Sequence, residues 1–337
     1  MRKERKREHV ENYLRTTATG DTLLGDVLLE HVALPELSMD EISTETKFLG
    51  KTLAFPLMID SMTGGADIST GINRDLSMLA KRFGLPMAVG SQKIALEDAG
   101  ARESFELVRD LMGPEGIILA NLDARAGKDE IDEAVKMIDA DAIELHLNAA
   151  QELAMPEGDR DFRGIVENLR ERAREEHTLM VKEVGFGLDR TSMNRLYSCG
   201  IRYFDLAGRG GTNFLKIEAM RQNETDYSAL YEWGNPTAEC LIRAKDRPAD
   251  AFVVASGGIR TEMDIVRAFV LGADMVAMSG EILSYLVHGG YEYTVAFLES
   301  LIYKVKMLML LTGARTLSDL RHVPYRLKGE LRARVSD

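Results

Sequence analysis

Short, uninterrupted apolar runs recur along this chain at intervals of about 30 residues, and segments with helical spacing lie between them. The runs are Leu53–Asp60, Pro86–Gly90, Gly116–Asn121, Ala142–His146, Leu179–Lys182, Tyr203–Leu206, Ala251–Ser256 and Met275–Met278. Ile72–Phe83, Ile131–Ile138, Phe162–Arg174 and Met263–Leu271 carry the helical spacing. A strand covered on both faces reads as a continuous apolar run rather than an alternating one, so the pattern predicts buried parallel strands. Eight of them, each followed by a helix, predict an α/β protein of the (β/α)8 TIM-barrel class. An open doubly wound sheet competes, but it gives no reason for eight units. The first 50 residues or so read as an N-terminal extension, and Tyr291–Thr312 as a long C-terminal closing helix. No linker or low-complexity stretch divides residues 1–337, so one barrel domain is expected.

Composition narrows the setting. The chain has 337 residues, 45% hydrophobic and 28% charged, which excludes long disorder, collagen-like repeats and coiled-coil bias. A net charge of −12 repels nucleic acid and anionic membranes unless a basic patch is segregated. One such run exists, Arg2, Lys3, Arg5, Lys6 and Arg7. On charge alone it reads either as a solvated tail or as an arm able to fold over a diphosphate. Cys199 and Cys240 match neither a disulfide framework nor a zinc spacing. There is no secretory h-region and no apolar run of membrane-spanning length, so the expected location is the cytoplasm.

Barrel enzymes place their chemistry where strands end. The predicted strands close in turn on Ser61-Met62-Thr63-Gly64-Gly65, Gly90-Ser91-Gln92-Lys93, Asn121, His146-Leu147-Asn148, Lys182-Glu183, Gly208-Arg209-Gly210-Gly211-Thr212, Ser256-Gly257-Gly258 and Ser279-Gly280. Glycine lets main-chain N–H groups approach an anion, and the last two loops are the usual phosphate site of barrels. A single such cluster is commonly only a tight turn; three in succession favour phosphate binding. Lys182, charged and at the end of a buried run, reads as a partner of an anionic ring, a Schiff-base lysine or half of an inward salt bridge. Glu183 faces the other way by alternation. Beyond strand four, Gln151 and Glu152 begin a loop. One carboxylate without His or Cys ligands beside it suits Mg2+ rather than zinc, although a loop glutamate is often only a surface charge.

These pieces, in this order, resemble the type 2, FMN-dependent isopentenyl-diphosphate isomerases. The resemblance runs through RKREH (5–9), ALPELSMDEIST (33–44), SMTGG (61–65), GSQK (90–93), HLNAAQELAMPEGDRDF (146–162), VKEVGFG (181–187), GRGGTNF (208–214) and SGGIR (256–260). It implies interconversion of isopentenyl and dimethylallyl diphosphate in isoprenoid biosynthesis, with reduced FMN, Mg2+ and NADPH as flavin reductant, in a homo-oligomer (tetramer or octamer). Carried over by position, FMN meets Met62, Thr63, Gly64, Ser91, Asn121, Lys182, Thr212, Gly257, Gly258, Ser279 and Gly280. Substrate meets Arg5, Lys6, Ser91, Lys93, His146, Asn148 and Gln151, and Glu152 holds Mg2+. Gln151, Glu218 and Lys182 are the expected catalytic side chains, the first two orienting or relaying protons and Lys182 favouring an anionic reduced flavin. With no strongly acidic group placed to protonate an alkene, the reduced flavin N5 is the expected proton carrier. Two positions depart from the family. Lys93 replaces a common arginine, which turns a bidentate phosphate contact into a point charge, and Ala207 replaces a frequent serine. The competing readings are a flavin oxidoreductase and a non-catalytic flavin binder. Hydroxy-acid oxidases need a late histidine, and His288 and His322 lie outside the last two loops. Dehydrogenases acting on inosine monophosphate need a cysteine where this chain has Thr212-Asn213.

Overall fold

In a computed structural model, residues 2–16, 20–222 and 225–336 are described. The side chains of Arg2 and Lys3 lie outside what is described. Eight parallel strands close into a barrel: β1 (Leu57–Ile59), β2 (Met87–Ala88), β3 (Ile118–Asp123), β4 (Ala142–Leu147), β5 (Leu179–Glu183), β6 (Tyr203–Asp205), β7 (Phe252–Ala255) and β8 (Met275–Met278). Each pairs with the next, and β8 returns to β1 through Val276↔Leu57 and Met278↔Ile59. This is the (β/α)8 architecture that the apolar runs predict.

Alternation along the strands sorts the inward side chains into two tiers. Met58, Ala88, Leu119, Met180, Val254 and Ala277 belong to one buried apolar cluster, distinct from the larger cluster between strands and helices. One step towards the strand C-termini the inward side chains turn polar: Asp60, Asn121, Glu144, Lys182, Asp205 and Ser256, all buried. The lower tier is therefore a packed floor and the upper tier a charged one.

The first predicted strand is the main correction. Leu53–Asp60 is not one strand. Lys51–Leu53 pairs antiparallel with Thr46–Phe48 as a hairpin, and only Leu57–Ile59 joins the barrel. Pro56 lies between them, and a proline has no N–H to give to a ladder. The hairpin closes the barrel bottom: Phe48, 1% exposed, packs on Tyr203 and Phe252 with ring centroids 5.9 and 5.3 Å away.

Helices on the outside include α2 (Asp67–Phe83), α3 (Glu103–Met112), α4 (Lys128–Ile138) and α10 (Glu262–Val270), if the N-terminal helix Arg2–Arg15 is α1. Counted in the same way, α5 is Ala149–Ala154, α6 Ile165–Arg172, α7 Arg190–Ser198, α8 Phe214–Gln222, α9 Thr237–Arg243 and α11 Gly280–Leu311. α6 is shorter than the predicted Phe162–Arg174, because Gly164 enters it with a left-handed φ of 84°. α11 breaks at Gly290, φ 80°, so the closing helix does begin at Tyr291 as its sequence suggests. The N-terminal extension is tied down by Val27–Leu29, which pairs antiparallel with Tyr325–Leu327 near the C-terminus.

Candidate active site

The strand C-termini open into a cavity of about 1580 Å³. Its lining includes Arg5, Lys6, Met62, Ser91, Lys93, Asn121, His146, Asn148, Gln151, Glu152, Lys182, Thr212, Gly257, Gly258, Ser279 and Gly280. Three expected residues sit just behind this surface. Thr63 is buried and bonds the Ser69 hydroxyl at 2.8 Å, Gly64 packs against the Phe105 ring, and Glu218 lies behind Gln151.

Lys182 stands at the centre of the charged tier. The register puts it opposite Asp205 on β6, and Asp60 arrives from the end of β1. Its Nζ lies 3.0 Å from Asp60 Oδ2 and 3.1 Å from Asp205 Oδ2. Burial would pull the ammonium down, but Asp205, Asp60 and Glu144 overrule it and hold the pKa well above the ordinary value. Of the readings its sequence position allowed, the inward salt bridge is present. A permanently charged Lys182 is no ready Schiff-base nucleophile, because the nucleophile is the free amine.

Three buried carboxylates around one ammonium leave a charge excess, and a proton relieves it. Burial first, then the neighbouring Asp60 and Asp205, push Glu144 up to about 8 against the pull of Lys182 and Asn121. Asp205 is raised as well, chiefly by burial. Glu144 also orients the next residues. Asn121 Nδ2 donates to Glu144 Oε2 at 2.8 Å, so Asn121 Oδ1 faces His146 Nδ1 at 3.0 Å. That oxygen only accepts, which puts the proton of neutral His146 on Nδ1 and leaves the Nε2 lone pair free. Burial depresses His146 to about 4, with Lys6, Lys182 and Arg125 adding to the effect and Asp123 opposing it.

Glu183 does point away from the cavity, as alternation requires. Its Oε2 accepts main-chain N–H groups from Val184, Phe186 and Gly187 at 2.6–3.0 Å and so shapes the loop after β5. Burial nevertheless raises it to about 7.

Gln151 and Glu152 lie on a helix, α5, rather than in a loop. Glu152 Oε1 accepts from Asn148 Nδ2 at 2.9 Å and Oε2 from the Asp159 N–H at 2.8 Å. Arg125, which sequence reasoning missed, lies 4.0 Å from Glu152, pairs with Asp159 and forks onto both oxygens of Asp123 at 2.7 and 2.8 Å. The result is an ion-pair network on one side of the mouth, centred on Arg125, with Glu152 at its edge and in the cavity lining.

The opposite side is main chain. Gly257 and Gly258 have φ of 87° and 80°, and side chains there would run into the backbone of Gly208 and Gly210. A Cβ at Gly280 would strike the Tyr13 hydroxyl, which α1 brings to the start of α11. Bare backbone at two strand ends, beside the first turn of a helix, makes an anion cradle, and Arg260 lines the cavity next to it. Ala207 is buried with φ 36°, its N–H on Asp205 Oδ1 at 3.1 Å and its carbonyl accepting from Gly185 and Gly187. The Asp205 carboxylate and two main-chain bonds fix this position.

The basic run is part of a helix docked on the mouth. Arg5 lies 3.6 Å from Glu157. Arg221 on α8 reaches Glu8 at 3.0 Å and Glu157 at 3.4 Å, and also pairs with Glu218. Lys93, by contrast, is engaged by Glu130.

A packed barrel with a glycine-walled anion cradle and a deep polar mouth is the frame of a flavin-type (β/α)8 barrel enzyme. The family model described as FMN-dependent dehydrogenase matches residues 221–325. Mandelate oxidase structures share the fold: one superposes with TM-score 0.67 at 18% identity, covering 95% of each chain. The isopentenyl-diphosphate delta-isomerase of Bacillus pumilus is 40% identical over 334 residues, spanning 98% of this chain and 93% of that protein. That of Moorella thermoacetica is 43% identical over 291 residues, 85% and 83% of the two chains. The chain belongs to the FMN-dependent, type 2 isopentenyl-diphosphate delta-isomerase family.

Proposed function

We propose that this protein interconverts isopentenyl and dimethylallyl diphosphate with reduced FMN and Mg2+, NADPH serving to reduce the flavin. One observation carries the reading: a cationic arm, Glu152 and the Gln151–Glu218 contact converge on one mouth beside glycine-rich strand ends. FMN fits this mouth. Gly257, Gly258, Ser279 and Gly280 would hold its phosphate, and Met62, Ser91, Asn121, Thr212 and Lys182 would hold its ring, with Thr63 and Gly64 behind them. When bound, the reduced flavin supplies an electron-rich ring with a protonatable nitrogen beside the substrate.

The protein's own residues do the rest. Arg5, Lys6 and Lys93 provide positive charge for the diphosphate, and Ser91, His146 and Asn148 provide hydrogen-bonding partners. Glu152 would hold Mg2+, which would supply positive charge to the diphosphate. Lys182 would offer its ammonium as a hydrogen-bond donor to the ring, but Asp60 and Asp205 already balance its charge, so any preference for an anionic form rests on that hydrogen bond rather than on net charge. Gln151 Nε2, 3.4 Å from Glu218 Oε1, connects the mouth to a buried carboxylate placed to accept a proton. The late histidines that an oxidoreductase reading would call on, His288 and His322, are both exposed and absent from the cavity lining, whereas His9 and His146 line it.

The test is anaerobic incubation with isopentenyl diphosphate, Mg2+ and reduced FMN in deuterated water, followed by NMR. Deuterated dimethylallyl diphosphate, formed only with reduced flavin, is the expected product. Protein that holds FMN yet forms no isomer overturns the reading.

A further inference from the structure

Glu218 is 1% exposed, and its carboxylate is assembled from two parts of the chain more than 200 residues apart. From its own helix, Arg221 takes one oxygen. The other, Oε1, lies 2.8 Å from His9 Nε2 and only at the long distance of 3.4 Å from Gln151 Nε2. His9 is delivered by α1, the helix that also carries Arg5 and Lys6 into the cavity lining. Arg5 and His9 are four positions apart and so share a helix face. His9 meets Phe214 edge-on with ring centroids 6.0 Å apart, and Arg221 is gripped by Glu8 of the same helix, so the contact is built from both sides.

Burial raises the Glu218 carboxyl, but its hydrogen bond with His9 and the charges of His9 and Arg221 outweigh that and hold it below the usual glutamate value. Burial in turn lowers His9, with Lys6 and Arg221 adding to the effect and Glu218 opposing it. His9 Nε2 and Glu218 Oε1 share a hydrogen bond of 2.8 Å, and loss of the imidazole leaves a buried carboxylate oxygen with one long contact.

We propose that His9 is the positioning residue of Glu218: α1, the helix that brings Arg5 and Lys6 to the mouth, holds the carboxylate behind Gln151 in place. This rests on the isomerase reading. Residues expected to meet the non-reacting diphosphate and the residue that sets Glu218 then lie on one helix.

The test compares His9→Ala, His9→Gln, Glu218→Gln and the double variant His9→Ala/Glu218→Gln as FMN-loaded protein. Bound FMN, read from visible absorbance, reports folding. His9→Ala is expected to lower kcat at least 30-fold with KM for isopentenyl diphosphate changed less than 3-fold. Glutamine, whose amide N–H reaches about as far, restores most of the loss. The double variant is no slower than Glu218→Gln alone. Amide exchange gives a readout independent of turnover: α1 and α8 exchange at least 10-fold faster in His9→Ala than in the wild type and recover in His9→Gln.

Equal losses in the alanine and glutamine variants, multiplying losses in the double variant, or a loss confined to KM each overturn the proposal. Unchanged exchange of α8 does so as well. A wild type that retains FMN but does not turn over refutes the isomerase reading instead, and the exchange comparison then still decides whether His9 secures α8.

Discussion

Replacing Glu144 with glutamine removes a carboxyl from the centre of a charged network, yet the structure says the protein gains stability, and gains more as pH rises. In the native state Glu144 is fully buried, and its proton is lost only near pH 8. Glutamine mimics that protonated form, so Lys182, Asp60 and Asp205 meet the same neutral neighbour in either protein below that pH. The difference lies in the unfolded chain, where glutamate ionises near 4.5 and glutamine does not. Between these limits the native wild type binds one proton more than its unfolded state, so its stability falls as pH rises, by about 1.4 kcal/mol per pH unit. From pH 5 to pH 7 the stability difference between Glu144→Gln and wild type should therefore grow by about 3 kcal/mol in favour of the variant. Urea unfolding of both proteins at pH 5, 6 and 7 at fixed ionic strength measures it, with equal slopes against denaturant showing that the states compared are the same. A difference independent of pH, or one that shrinks, refutes the argument and means that Lys182 keeps Glu144 ionised in the fold.

Other consequences are simpler to state. Gly257→Ala places a side chain against the backbone of Gly208 at φ 87°, and roughly 3 kcal/mol of strain is expected, read as a lower Tm and loss of bound FMN on gel filtration. Glu152→Gln removes the carboxylate proposed to hold Mg2+ and should raise the Mg2+ concentration for half-maximal turnover about tenfold, with FMN absorbance unchanged; an unaltered Mg2+ dependence removes Glu152 from metal binding. Lys93→Arg restores a forked donor at the mouth and should lower KM for isopentenyl diphosphate a few-fold at constant kcat, the reverse outcome showing that the Glu130 pair keeps this position away from substrate.

Much of the barrel was legible because strands covered on both faces must be apolar throughout, and all eight runs hold a strand. The error fell at Leu53–Asp60, where an apolar run continues through Pro56 while the chain changes partner from hairpin to barrel. Hydrophobicity does not report partners, but the proline marked the break. In the site, polar closures of strands pointed to most of the cavity lining. Lys182 and its inward salt bridge were legible, but its partners Asp60, Glu144 and Asp205 were missed because they come from three other strands and meet it only when the barrel closes. A signal existed nevertheless: a lone acid inside an apolar run, as in Ile143-Glu144-Leu145 and Phe204-Asp205-Leu206, is too costly to bury without a partner. His9 and Arg125 carried no such mark, since each sits among other charges in sequence and acquires its role from a distant carboxylate.

The hairpin around Phe48 seals the barrel bottom, so among the described residues the cavity opens at the strand C-termini, where α1 lies across the rim. Whatever rests deepest there must enter first and leave last. On the proposed function the flavin would be the deeper occupant and the diphosphate the upper one, and an upper occupant would act as a stopper for the lower; inorganic pyrophosphate with Mg2+ is then expected to slow the escape of FMN.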